Sequence, residues 1–178
     1  MNRYLFNPYT RVAGLKSLAV GIVGLAAIAY VSFKTGTHQH GLLVINFAND
    51  STLTSYALEH IISWFSFALP AFIIGSIISK TRVRAMDFLG TSLMARLPLI
   101  VVPALRFVPI FHSFAFLSAE MLVLVCIYIV MLIWTAALLF NGFKVSSNLK
   151  SNKLVLSFIL SMVISEIITG LTIIFINP

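Results

Sequence analysis

The sequence predicts an all-α polytopic membrane protein, a bundle of five helices with a cytoplasmic amino terminus and its carboxyl terminus outside. Three observations predict it. Of 178 residues, 60% are hydrophobic and 10% charged, with a mean hydropathy of +1.03; a soluble domain carries roughly 25% charged residues to wet its surface. The apolar residues fall in runs of about 20, the length that crosses a hydrocarbon core of roughly 30 Å. The basic residues collect in alternate connections, which is the positive-inside pattern of membrane helices. A membrane β-barrel would instead alternate in segments of about ten residues.

The first run covers 15–33 and carries a stripe of small residues at four-residue spacing, Ala13, Ser17 and Gly21, interrupted by Leu25 and resumed at Ala29. Ala27-Ile28-Ala29 behind basic residues loosely matches a signal-peptide cleavage site; the run is expected to stay in place as a span. The second run, 61–79, holds Ala71, Gly75 and Ser79 at the same spacing. The third, 87–107, is interrupted by Arg96, Pro98 and Pro103. It is expected to cross with a kink where Pro98 and Pro103 lack N–H groups. The fourth covers 121–140, its apolar character extending back toward Phe114. The fifth, 154–176, has the longest unbroken stripe: Ser157, Ser161, Ser165 and Thr169. Four-residue spacing places each stripe on one helix face. Small side chains let backbones approach, and hydroxyls can bond across the contact for on the order of 0.6 kcal/mol each. Helix packing through Ser17, Gly21, Gly75, Ser161 and Ser165 is the expected use, with a homo-oligomer seam or a hydrophilic path along the fifth helix as the alternative. Tyr4, Tyr9, Tyr30, Phe33, Tyr56 and Trp64 fall near span ends, where aromatic rings anchor helices at the interface.

Orientation rests on charge. Arg3, Arg11 and Lys16 precede or open the first span; Lys80, Arg82 and Arg84 separate the second and third; Lys144, Lys150 and Lys153 separate the fourth and fifth. The opposite side holds Lys34 and Arg106 beside Asp50, Glu59 and Glu120. If the third run returned to the side it entered from, the Lys144–Lys153 cluster would face outward, against the rule. The formal charge of +7 is therefore a topology signal, and nucleic-acid binding is not expected. Cys126 is the one cysteine, so no disulfide forms within the chain.

Two charges lie deep in predicted spans. At about 1.5 Å per residue, Arg96 sits roughly 14 Å from the start of its span and Glu166 roughly 18 Å from the start of its own. An unpaired charge there costs at least about 2.5–3.5 kcal/mol. The two are expected to pair, or to bond carbonyls freed by Pro98, as a staple between the third and fifth helices. His38, His40, His60 and His112 all fall on the outer side. They could ligate zinc or a similar ion with a carboxylate, yet their spacing matches no metalloenzyme motif. Solvated loop histidines are the expectation, with no metal and no cofactor. No Gly-rich phosphate loop and no Gly-x-Ser-x-Gly elbow occur, so no enzyme is expected.

Several short motifs resemble the Yip (Ypt-interacting protein) family of five-span membrane proteins, in a bacterial form. They are Asn7-Pro8 with Thr10-Arg11, then Gly90-Thr91 through Ala95-Arg96-Leu97-Pro98, then Ile133-Trp134 and Asn141-Gly142-Phe143-Lys144. The resemblance implies a five-helix bundle with a cytoplasmic amino terminus, placed in a bacterial cytoplasmic membrane. Eukaryotic relatives contact small GTPases through a longer amino-terminal region and carry an Asp-Leu-Tyr-Gly-Pro element. This sequence lacks both, so that activity does not carry over. The expectation is a non-enzymatic accessory or scaffold component, acting through helix contacts with a membrane transport or trafficking complex. The alternative is a small transporter or permease component with Arg96 and Glu166 at its centre.

Overall fold

The computed structural model describes residues 5, 7–10, 12, 14–48, 51–111 and 118–176, with backbone alone at Thr10 and at 173–176. Arg3, Tyr4, Arg11, Ala13, Asp50, His112 and Phe114, named above, lie outside the described residues. Five segments are long and apolar enough to cross a membrane: Leu15–Thr35, Leu53–Ile78, Ala85–Leu105, Ala119–Ser147 and Ser151–Thr172. They define a multi-pass membrane protein.

In chain order the elements are α1 (Leu15–Thr35), β1 (Thr37–His40), β2 (Val44–Phe47), α2 (Leu53–Ile78), α3 (Ala85–Met94), a 3-10 turn (Leu97–Ile100), α4 (Val101–Leu105), α5 (Ala119–Ser147) and α6 (Ser151–Ile176). The two strands depart from the all-helical expectation. Two helices also exceed their apolar runs by about two turns, α2 and α5, while α1 and α6 exceed theirs by less than one. α2 starts at Leu53 rather than 61 because the Thr52 hydroxyl accepts the Ser55 N–H and caps it. α5 continues from 140 to Ser147 and stops at Asn148, whose φ of 53° is left-handed.

The third span is broken where its sequence is. α3 ends at Met94, Arg96 stands in the gap, and the 3-10 turn carries Pro98 before α4 resumes with Pro103 inside it. Pro98 and Pro103 are buried, so the irregular backbone is covered by neighbouring helices.

Small residues make the tight contacts. Ser17 is fully buried in α1, and Gly21 faces Leu93 of α3. Gly75 of α2 lies against Phe88 and Ser147. On α6, Ser157, Ser161, Ser165 and Thr169 are all buried, and the helix packs chiefly along α2. Their described hydroxyl bonds run back along the helix, Ser161 to the Ser157 carbonyl and Thr169 to the Ser165 carbonyl, both at 2.8 Å. At Ser161 and Thr169 the stripe therefore acts through its small volume, with the hydroxyl satisfied within the helix. Between α2, α3, α5 and α6, Phe67, Phe88, Phe143 and Phe158 meet edge to face at centroid separations of 5.7–6.1 Å.

The ends of the bundle differ in charge. Gly14 lies beside Asp87, and Thr91 and Ser146 share a 3.2 Å hydrogen bond, so the starts of α1 and α3 and the end of α5 gather together. That end carries Lys16, the Lys80–Arg84 group and the Lys144–Lys153 group. At the other end Arg106 donates to the Gly36 carbonyl at 3.2 Å. Tyr9 and Tyr56, expected as interfacial anchors, are instead buried at 1% exposure. Burial raises the Tyr9 phenol above its ordinary pKa. Tyr30 and Phe33 are exposed, with the Lys34 ammonium over both rings.

Candidate functional site

The connection between the first two spans contains Thr37-His38-Gln39-His40, then Gly41-Leu42-Leu43, then Val44-Ile45-Asn46-Phe47. Two short runs around a Gly-bearing turn make a hairpin. The strands pair antiparallel, Thr37 with Phe47, His38 with Asn46, Gln39 with Ile45 and His40 with Val44. Gly41 turns the chain at a φ of 72°, a left-handed conformation that glycine adopts without strain. Every residue of β1 is buried, whereas β2 is largely exposed.

The hairpin points into the bundle. Its turn bonds to four helical segments. Arg96 Nη2 donates to the Gly41 carbonyl at 2.9 Å, and Ser63 Oγ donates to the same oxygen at 3.1 Å. Arg96 also donates to Ser63 Oγ. The Leu42 N–H donates to Glu166 Oε1 at 3.0 Å, and the Tyr128 hydroxyl donates to the Leu42 carbonyl. Gln39 Nε2 reaches the Leu99 carbonyl in the 3-10 turn at 3.2 Å. Counted from Leu53, Ser63 lies about 15 Å along α2. The hairpin thus carries polar backbone to mid-bundle, and the helices supply the partners that such backbone requires away from water.

Arg96 and Glu166 are brought to one turn, but not into a direct ion pair. Each holds one of two consecutive residues, Arg96 the Gly41 carbonyl and Glu166 the Leu42 N–H. The carbonyl that Arg96 takes is the hairpin's, not one freed by Pro98. Both bonds are charge-assisted and stronger than neutral ones. Gly41 admits this approach because a Cβ there would lie 2.8 Å from Glu166 Oε2. Tyr128→Phe should remove one neutral partner of the turn. Its expected cost is about 1 kcal/mol, read as a small drop in melting temperature in detergent.

At its base the hairpin meets α2. His38 Nδ1 and Glu59 Oε1 are 2.8 Å apart, the ion-pair contact found among the described residues. The Tyr56 ring stacks on His38 at 4.3 Å between centroids, and the His40 ring stacks on His38 at 6.0 Å. His60 Nε2 contacts Ser32 Oγ at 3.3 Å on α1. His38, His40 and His60 are all buried rather than solvated: His38 and His40 because β1 folds inward instead of crossing the surface, His60 because its face of α2 packs on α1. Burial holds the His40 imidazole below its ordinary pKa; the Glu59 carboxylate opposes this and His38 adds to it.

Three of the quoted motifs meet at the basic end. Trp134 Nε1 donates to the Leu5 carbonyl at 3.0 Å, and Gly142 lies against both Thr91 and Tyr9. Tyr9, which follows Asn7-Pro8, therefore packs with Thr91 and Gly142. Scans against protein-family models, curated proteins and solved structures return no match.

Sequence reasoning found Arg96 and Glu166 but missed Gln39, Gly41, Leu42, Ser63 and Tyr128. A signal was present in Gly41 through Phe47. That stretch is too apolar for a solvated loop and too short to span.

Proposed function

We propose that this chain is a non-enzymatic, Yip-like multi-pass protein. It serves as an accessory or scaffold component whose helix surfaces contact a membrane transport or trafficking complex. The observation that carries the reading is the engagement of Arg96 and Glu166. A central transport site needs its charges free to meet a substrate, whereas here both are bonded to the chain's own turn. The cavity beside Arg96, lined by Leu25, Ile28, His60 and Leu93, has a volume of about 10 Å³, which is room for one water. What remains for function is surface. α5 and α6 expose Ile129, Val130, Ile133, Leu156, Val163 and Ile167, side chains suited to lipid or to another membrane helix. The family reading rests on the resemblance of the short motifs at Asn7-Pro8, Gly90-Thr91 and Asn141-Gly142 alone. The cytoplasmic placement of the amino terminus draws support from the basic end of the bundle.

Copurification from native membranes followed by mass spectrometry tests the proposal. The same membrane complex should recur with the wild type and fade when Ile133 and Val130 are both changed to tryptophan. Counterion-dependent solute uptake by the pure protein in liposomes is the contrary result and selects the permease reading.

A further inference from the structure

We propose that His38, His40 and Glu59 bind one transition-metal ion of the zinc class where the base of the hairpin meets α2. His38 and His40 occupy alternate positions of β1, which puts both imidazoles on one face of the strand. α2 supplies Glu59 to that face. One ligand atom from each residue lies within 4.8 Å of the others. A tetrahedral site with bonds of about 2.0–2.1 Å has ligand atoms roughly 3.3 Å apart, so side-chain rotation closes the difference.

The surroundings are those of a ligand set rather than of a hydrogen-bonded core. Glu59 Oε2 is buried with no hydrogen-bonding partner among the described residues. The His40 imidazole is 8% exposed, and no hydrogen bond to it is found among the described residues. The His38–Glu59 contact accounts for one nitrogen and one oxygen and leaves the buried Glu59 Oε2 unexplained. A divalent cation engages all three side chains at once. It takes the place of the proton held between His38 Nδ1 and Glu59 Oε1, and that proton leaves to solvent. Two nitrogens and a carboxylate oxygen suit zinc and its neighbours, whereas calcium and magnesium demand oxygen throughout. The fourth position falls to water or to Glu59 Oε2. So placed, the ion ties strand β1 to α2, while Arg96 and Glu166 hold the turn. The site stands independently of the scaffold reading.

The test uses the tag-free full chain in detergent, stripped with a chelator and titrated with Zn²⁺ or Co²⁺. One ion per chain is expected, with a zinc X-ray absorption spectrum of two imidazoles plus carboxylate oxygen. His40→Ala and Glu59→Gln should each weaken Zn²⁺ binding roughly tenfold or more. Zn²⁺ should raise the melting temperature of the wild type and leave that of either variant unchanged. Absence of binding by folded wild type, an imidazole count other than two, or undiminished binding by a folded variant would overturn the site. The spectrum is read on the wild type, so it decides the matter even if both variants misfold.

Discussion

Arg96→Ala is expected to lower the unfolding free energy by about 3–5 kcal/mol, as removal of one member of a buried charged network does. The guanidinium is 7% exposed and bonds the Gly41 carbonyl and Ser63 Oγ together. Without it the carbonyl keeps the Ser63 hydroxyl as partner, while Glu166 remains as a half-buried carboxylate on the Leu42 N–H that has lost the neighbouring guanidinium. Desolvated backbone and an uncompensated charge both push the hairpin out of the bundle. A labelling experiment separates this from general loosening. Leu42 is 3% exposed, so Leu42→Cys in a Cys126→Ser background should resist a membrane-impermeant thiol reagent. Adding Arg96→Ala should make it react. Removal of Glu166 as well should cost less than the sum of the single losses, since the two charges share one turn. Equal protection of Leu42→Cys with and without Arg96, at unchanged stability, would mean that the turn is held by something else.

The spans were legible because hydropathy and length together leave few alternatives for runs such as 15–33 and 154–176. The limits of that reading have physical causes. α2 begins at Leu53, but Glu59 and His60 in its early turns interrupt the apolar run and hide the start. The Thr52 cap with Ser55 three residues on was the available clue. Pro98 and Pro103 did announce the break in the third span, since proline states its geometry locally. Arg96 and Glu166 stood out as costly charges, but their partners were a peptide carbonyl and a peptide N–H. Those groups exist at every residue, so no sequence pattern singles out Gly41 and Leu42 for them. The histidines misled for a related reason. Thr37-His38-Gln39-His40 has the composition of a wet loop, and its burial is imposed by what Arg96, Gln39, Tyr128 and Glu166 do for the hairpin. Ser161 and Ser165 are buried on α6. The Ser161 hydroxyl bonds back to the Ser157 carbonyl within the helix, a choice that spacing alone does not determine.

Gly90→Ala should be the most disruptive single methyl added to the helices, costing about 1–3 kcal/mol by overpacking. A Cβ at Gly90 would lie 2.7 Å from the Gly14 carbonyl oxygen and 2.9 Å from the Leu18 nitrogen. Both are backbone atoms, so no side-chain rotation relieves the overlap. α1 and α3 must separate, and Gly21 loses its seat against Leu93 one turn further on. Gly14 resists the shift because it starts α1 at a φ of 61°, a conformation with few alternatives once Ser17 Oγ donates to its carbonyl at 2.8 Å. Gly170→Ala is the matched control, since nothing lies within 4 Å of a Cβ there. Alanine should leave stability unchanged at that position or raise it by up to about 1 kcal/mol through helix propensity. Melting the two variants side by side in one detergent, with Gly90→Val expected to lose more than Gly90→Ala, isolates the steric effect from propensity. Equal behaviour of Gly90→Ala and Gly170→Ala would show that α1 and α3 are not in backbone contact. The basic end, where Thr91 meets Gly142 and Tyr9, would then lack the rigid seam that holds α1, α3 and α5 together.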